Sequence, residues 1–222
     1  MGSLEIDYPL ALCYNSNMIY TIGDSFTAGA ELKDTQSAWP YLLGIDVVND
    51  ARQGVGNEFI VRKTIQAVDE LKPSLVIVAW TSCGRVEFAD DQGIYDIWPG
   101  CSSKKFENNQ YKNRKELIKY ITTHNNEEHE YRRWLRQVIL LQSFLRDHKT
   151  PYLMCSAFDN QIRNKKYQKH NEHYWNMIDT TQFIGWPYEG LVEWAWGTPH
   201  GPGGHPLEIG HQRIADKIAE YI

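Results

Sequence analysis

The chain has 222 residues, 42% of them hydrophobic, which is enough to build one α/β domain around its own core. Its formal net charge is -5 and its Lys and Arg residues are interleaved with Asp and Glu, which argues against a nucleic-acid partner. No apolar run reaches the length of a membrane span. Residues 1–14 lack the basic and apolar regions of an export signal, so a cytoplasmic protein without a membrane partner is expected.

In chain order, residues 18–22 read as a short buried strand ended by Gly23. Residues 37–43 open a short helix with Ser37 as its cap. Residues 46–49 form a second strand. Residues 57–71 carry Phe59, Ile60, Ile65, Val68 and Leu71 at helical spacing, and Pro73 stops that helix. Residues 75–80 are a near-continuous apolar run, as in a strand buried on both faces of a parallel sheet. A polar, turn-rich stretch around 88–130 is a long insertion, or a lid over a site. Residues 130–148 form an amphipathic helix and 152–157 the next strand. Residues 159–176 combine a loop with a short helix, and 183–196 form a Trp-rich connector. Residues 206–222 close the chain as a helix with Pro206 in its first turn and a stripe of Ile209, Ile214, Ile218 and Ile222.

Strand and helix alternate throughout. That order predicts a single domain over 1–222, a three-layer α/β/α sandwich around a parallel sheet of the flavodoxin-like kind. Ligands of such sheets bind at the carboxyl ends of the strands. Ser25 follows the first strand, Gly54 the second, and Thr81 and Ser82 the third, so these loops share one edge.

That edge holds the elements of nucleophilic catalysis. A serine hydroxyl attacks only when a base takes its proton, and His205 near the C-terminus is the candidate base. The oxyanion that forms needs waiting donors: the N–H groups of Ser25 and Gly54, and the hydroxyls of Thr81 or Ser82. Arg85 lies close enough in sequence to reach the site and hold an anionic group. Each residue also has a plainer reading. Asp24 ties the turn beneath the serine, Gly54 serves the turn, and Thr81 and Ser82 cap the strand. Arg85 pairs with Glu87, and His211 packs internally.

With these residues in view, the chain resembles the SGNH hydrolases, the GDSL-type esterases and lipases. Gly23-Asp24-Ser25 matches the first block of that family. Asn49 and Gly54, with Gly56-Asn57 opening the next helix, match the second. His205-Pro206, with Gly210-His211, matches the last. The resemblance implies Ser25 as nucleophile, His205 as base, and hydrolysis of a small ester, most simply an acetyl ester. Two positions depart from the pattern. The third block reads Thr81-Ser82-Cys83-Gly84 and lacks the Asn that completes the oxyanion hole. Pro202 stands three residues before His205, where the triad Asp is usual. His205 is then oriented by a backbone carbonyl or by a distant acid such as Glu193.

The substrate class expected is a small ester or an acylated carbohydrate. The eight Trp residues favour a ligand groove, with Trp196 at the pocket rim and Asp24, Asn57 and Arg85 as further binding residues. No cofactor is expected. The four cysteines (Cys13, Cys83, Cys101, Cys155) lack metal-ligand spacing and read as free thiols of a reducing compartment, and His200, His205 and His211 match no standard metal pair. A non-catalytic binding protein on the same scaffold, and an acyltransferase, are the alternatives.

Overall fold

The computed structural model describes residues 17–44, 46–91, 93–98, 115–160 and 162–222. Within them lie strands β1 (Ile19–Ile22), β2 (Val47–Asn49), β3 (Leu75–Trp80), β4 (Val86–Asp90), β5 (Gly93–Ile97) and β6 (Tyr152–Ser156). The helices are α1 (Ser25–Ala28), α2 (Asn57–Leu71), α3 (Lys115–Thr123), α4 (Glu127–Asp147), α5 (Lys165–His170), α6 (Glu172–Trp175), α7 (Leu191–Trp194) and α8 (Glu208–Ala219). A parallel sheet in the order β2-β1-β3-β6 forms the centre, and β4 and β5 make a separate antiparallel hairpin.

The pleat sends alternate residues to opposite faces. Tyr20, Ile22, Val76, Val78, Trp80 and Met154 join Ile60 and Val68 of α2 and Trp134, Leu135, Val138, Leu141 and Leu145 of α4 in one core. Ile19, Ile77, Ala79, Leu153 and Cys155 join Leu191 of α7 and Ile214, Ala215 and Ile218 of α8 in the other. Burying each large apolar side chain is worth about 1.5–3 kcal/mol. The ion pairs on the surface, such as Arg163 with Asp159, are worth about 1 kcal/mol or less apiece. The two-sided core therefore holds the sandwich together. The fold is the α/β/α arrangement that the order of elements predicts.

Several boundaries and faces differ from expectation. The long helix starts at Glu127, because the side chain of Asn126 accepts a hydrogen bond from His129 N at 2.9 Å and caps it. Residues 35–43 hold two 3₁₀ turns, Thr35–Ser37 and Tyr41–Leu43. The first is capped by Asp34, whose Oδ1 accepts from Gln36 N, rather than by Ser37. The last helix begins at Glu208, and its buried side is Gly210, His211, Ile214, Ala215 and Ile218, which leaves Ile209 and Ile222 exposed. In α2, Ile65 and Leu71 are also exposed.

Of the stretch around 88–130, the described part holds the end of β4, all of β5, Trp98, α3 and the first turn of α4 with its cap Asn126. Residues 99–114 lie outside the described residues, as do Cys13, Cys101 and the N-terminal segment. The hairpin braces the second loop instead of standing apart from it. Asp96 accepts from Gly56 N at 3.0 Å and pairs with Arg52 at 2.5 Å, while Glu87 pairs with Arg62 of α2 at 2.7 Å. Burial pushes the Asp96 carboxyl above the usual carboxylate range, opposed by the Gly56 N–H and by Arg52. Among the described residues, no helix is long and apolar enough to cross a membrane.

Candidate active site

Ser25 is the first residue of α1, directly past the carboxyl end of β1. Asp24 makes that placement possible. Its extended backbone starts the helix, its Oδ1 accepts from Phe26 N at 3.0 Å, and its carbonyl accepts from Thr27 and Ala28. The N–H of Ser25 has no acceptor among the described residues, as the first N–H groups of a helix have no partner within it. The same is true of the N–H of Gly54, in a turn at φ +79, a conformation that glycine adopts without strain. A Cβ at that glycine would stand 3.3 Å from the ring of Trp98. Trp98 therefore belongs to the surroundings of the site, although nothing in its sequence context marks it.

The third loop is pinned from two directions. Asn57, at the start of α2, pairs its side-chain amide with the backbone of Thr81: Thr81 N donates to Asn57 Oδ1 at 3.0 Å and Asn57 Nδ2 donates to Thr81 O at 3.2 Å. The Thr81 hydroxyl donates to Asp24 Oδ2 at 2.6 Å. Thr81 and Asn57 are both buried, and these polar side-chain groups are committed to neighbours. Ser82 is partly buried, and its hydroxyl accepts from Gly84 N at 3.4 Å. Arg85 pairs with Asp24 Oδ2 at 3.1 Å, not with Glu87, which is bound to Arg62.

His205 lies in a tight loop closed by an antiparallel bridge between His200 and Pro206 and by the hydrogen bond from Gly201 N to His205 O. Its ring sits 5.5 Å from the ring of Phe26, the residue after Ser25. No hydrogen bond joins Ser25 Oγ to His205 in this structure. Catalytic hydrogen bonds often tighten only around substrate. The Nδ1 atom of His205 lies 2.8 Å from Glu31 Oε2. Glu31 also accepts from Gly203 N at 2.7 Å and from His205 N at 3.1 Å. The bond from Gly203, then that from His205, holds its carboxyl below the ordinary carboxylate range. Glu193, the distant acid named as one alternative for orienting His205, lines a small cleft with Ser156, Asp159 and Tyr188.

Phe26, Val192, Trp196, Gly197, His200 and Gly204 line a pocket of about 510 Å³, which Phe26 and Gly204, the chain neighbours of Ser25 and His205, border. Trp196 stands at its rim with 78% of its surface exposed, whereas Trp186 packs on Trp134, Trp175 and Phe183 in the core. His211 is buried and accepts from Trp39 N at 3.1 Å, far from any ligand role, and His200 Nδ1 lies 2.7 Å from Thr198 O. Cys83 and Cys155 are buried free thiols pushed up to about 12, chiefly by that burial, so neither supplies a thiolate nucleophile at neutral pH. Among the described residues no group of three or more His, Cys, Asp or Glu side chains could hold a metal.

Solved structures share this fold. The esterase EstA from Pseudoalteromonas sp. aligns over 92% of this chain and 96% of its own, at 12% identity and a TM-score of 0.54. TesA aligns over 90% and 95%, at 14% identity and a TM-score of 0.54. A lipolytic G-D-S-L family structure from Desulfitobacterium hafniense DCB-2 aligns over 93% and 100%, at 14% identity and a TM-score of 0.53. The architecture is thus one that G-D-S-L-type lipolytic proteins and esterases also adopt. The chain belongs to the family described as "Family of unknown function (DUF6071)", whose model matches residues 27–222. No curated protein matches it significantly.

Proposed function

We propose that this protein is a serine esterase acting on a small acyl ester, most simply an acetyl ester, carried by a polar alcohol such as a carbohydrate. The observation that carries this reading is the convergence of Ser25, at the start of α1, with His205, whose ring packs on the neighbouring Phe26. Ser25 Oγ attacks the ester carbonyl while His205 Nε2 accepts the hydroxyl proton. The oxyanion forms against the N–H groups of Ser25 and Gly54. Collapse expels the alcohol, which takes its proton from His205, and leaves an acyl group on Ser25. Water then attacks, deprotonated by His205, which returns that proton to Ser25 Oγ as the carboxylic acid departs. The exposed face of Trp196 beside the pocket supports a sugar-bearing alcohol, since flat aromatic surfaces receive the apolar faces of sugar rings.

One observation favours a second reading, a weakly active binding protein. Asn57 and the Thr81 hydroxyl are occupied by their neighbours, so the oxyanion would depend on two backbone N–H groups, the Ser82 hydroxyl and Arg85. The test is hydrolysis of p-nitrophenyl acetate and butyrate by the wild type and by Ser25→Ala. Serine-dependent turnover that is faster on acetate supports the esterase. Turnover no greater than that of Ser25→Ala moves the reading to ligand binding, or to a transferase that awaits its acceptor.

A further inference from the structure

We infer that Glu31 is the acid that orients His205, reaching across from the loop behind the nucleophile instead of rising from the histidine's own loop. The inference rests on His205 serving as the base. Nδ1 of His205 faces Glu31 Oε2 at 2.8 Å, and a carboxylate can only accept. The ring proton is therefore held on Nδ1, and Nε2 is left with the free lone pair that a base requires.

Three features of the chain serve this contact. First, Glu31 adopts φ +68, a left-handed conformation uncommon for a residue with a side chain. Such geometry is strained and persists where surrounding contacts impose it. Second, the receiving loop is stripped of side chains where the carboxylate lies. A Cβ on Gly201 would come within 2.6 Å of Glu31 Cδ, and one on Gly203 within 3.0 Å of Oε2. Gly201 needs no glycine for its backbone angles, so its missing side chain is accounted for by the glutamate. Third, Pro202, three residues before His205, is exposed and carries no carboxylate, so the glutamate fills a role that its own loop leaves open.

A loop clamp alone would need only the two backbone bonds, from Gly203 N and His205 N. The ring bond is the additional feature, and it can be tested separately. In E31Q the amide oxygen can still receive a backbone N–H, but its NH₂ group can donate to Nδ1 and favour the tautomer protonated on Nε2. G201A leaves every polar group in place and drives a methyl into the carboxylate's position.

The experiment measures p-nitrophenyl acetate kinetics, thermal melting and the ¹⁵N resonances of His205 in the wild type, E31Q and G201A, with Ser25→Ala as the floor. The expected result for E31Q is a fall in kcat of about 10²–10⁴-fold with little change in KM. Its His205 proton should move off Nδ1. G201A should lose at least tenfold in kcat while remaining folded. E31Q within threefold of the wild type, with its tautomer unchanged, would overturn the inference and leave Glu31 as a loop clamp. If the wild type itself shows no Ser25-dependent hydrolysis, the esterase reading fails, yet the tautomer comparison still decides whether Glu31 orients His205.

Discussion

The Arg85 guanidinium sits 3.1 Å from Asp24 Oδ2 and 3.5 Å from the carbonyl oxygen of Val55, and so joins the residue before Ser25 to the residue after Gly54. It therefore lies between the two loops whose N–H groups would meet an oxyanion. Only its Nη1 has a hydrogen-bond or ion-pair partner among the described residues, which leaves further donors on the same plane. Arg85→Ala should lower kcat about 10²-fold, the usual scale for losing one oxyanion donor, and Arg85→Lys should lower it less. Because Asp24 is fully buried, the alanine variant should also lose about 3 kcal/mol in denaturant unfolding. A loss of stability with kcat unchanged would reduce Arg85 to a counter-ion for Asp24.

His211 sets a pH dependence of stability. Its ring is buried, Nδ1 accepts from Trp39 N, and burial first, then His205, lowers it to about 4, with Glu208 opposing. The unfolded chain binds this proton more tightly than the folded one. The neutral ring's contribution is therefore complete above about pH 6.5 and is lost as pH falls towards about 4. The loss should be on the order of 3 kcal/mol, at 1.36 kcal/mol per pH unit over that window. Urea unfolding at pH 7.5, 5.5 and 4.5 should show the decline, and His211→Gln should flatten it. A profile in His211→Gln parallel to the wild type would assign the decline to other groups.

Much of this architecture is legible in the sequence because it is written in local periodicity. The run 75–80 becomes β3, and the spacing from Asn57 to Leu71 gives α2 to the residue. Ser25 and His205 are legible because both sit where strand and helix ends can be read. Glu31 is not legible in this way. It lies outside any regular element, and its contact with His205 spans 174 residues. The trace it leaves is indirect, a run of Gly201, Gly203 and Gly204 around Pro202 that offers no carboxylate. Asp34 as the cap of a 3₁₀ turn and Asn126 as the cap of α4 escaped for a smaller reason: several polar residues compete for each cap, and only backbone geometry decides. Ile209 lies on the face of α8 opposite its buried residues, Ile222 lies beyond the last residue of that helix, and Ile65 and Leu71 are exposed on α2, so apolar type at near-helical spacing does not by itself mark the buried face.

Asn57 acts as a polar bracket for the third loop. Its amide satisfies both the N–H and the C=O of Thr81, the backbone groups that follow the last residue of β3. Asn57→Ala leaves these buried groups without partners, at about 1–3 kcal/mol for each group. We expect a stability loss of about 2–4 kcal/mol by denaturant unfolding, with kcat also reduced, since the freed loop carries Ser82 and Arg85 towards the site. Asn57→Asp should restore the acceptor for Thr81 N but not the donor for Thr81 O, and so fall between. Equal stability of Asn57→Ala and the wild type would show that the loop is held by Arg133, which donates to the carbonyls of Cys83 and Arg85.

Trp196 should act on the alcohol and not on the acyl group. Its indole is 78% exposed at the pocket rim, its carbonyl receives Arg213 Nη1 at 3.1 Å, and its backbone thus stays fixed while its ring faces solvent. A side chain that contributes so little to the core can be removed at small cost, so Trp196→Ala should melt within a few degrees of the wild type. A stacked sugar ring would lose contact area worth about 1–2 kcal/mol, which corresponds to a five- to thirtyfold rise in KM for an acetylated oligosaccharide. For p-nitrophenyl acetate, a small aromatic ester with no sugar to stack, KM should change less than threefold. The comparison of the two substrates carries the meaning. A selective rise on the sugar ester would identify the indole as part of an alcohol-binding surface, and equal changes on both would mean that Trp196 shapes the pocket without reading what enters it.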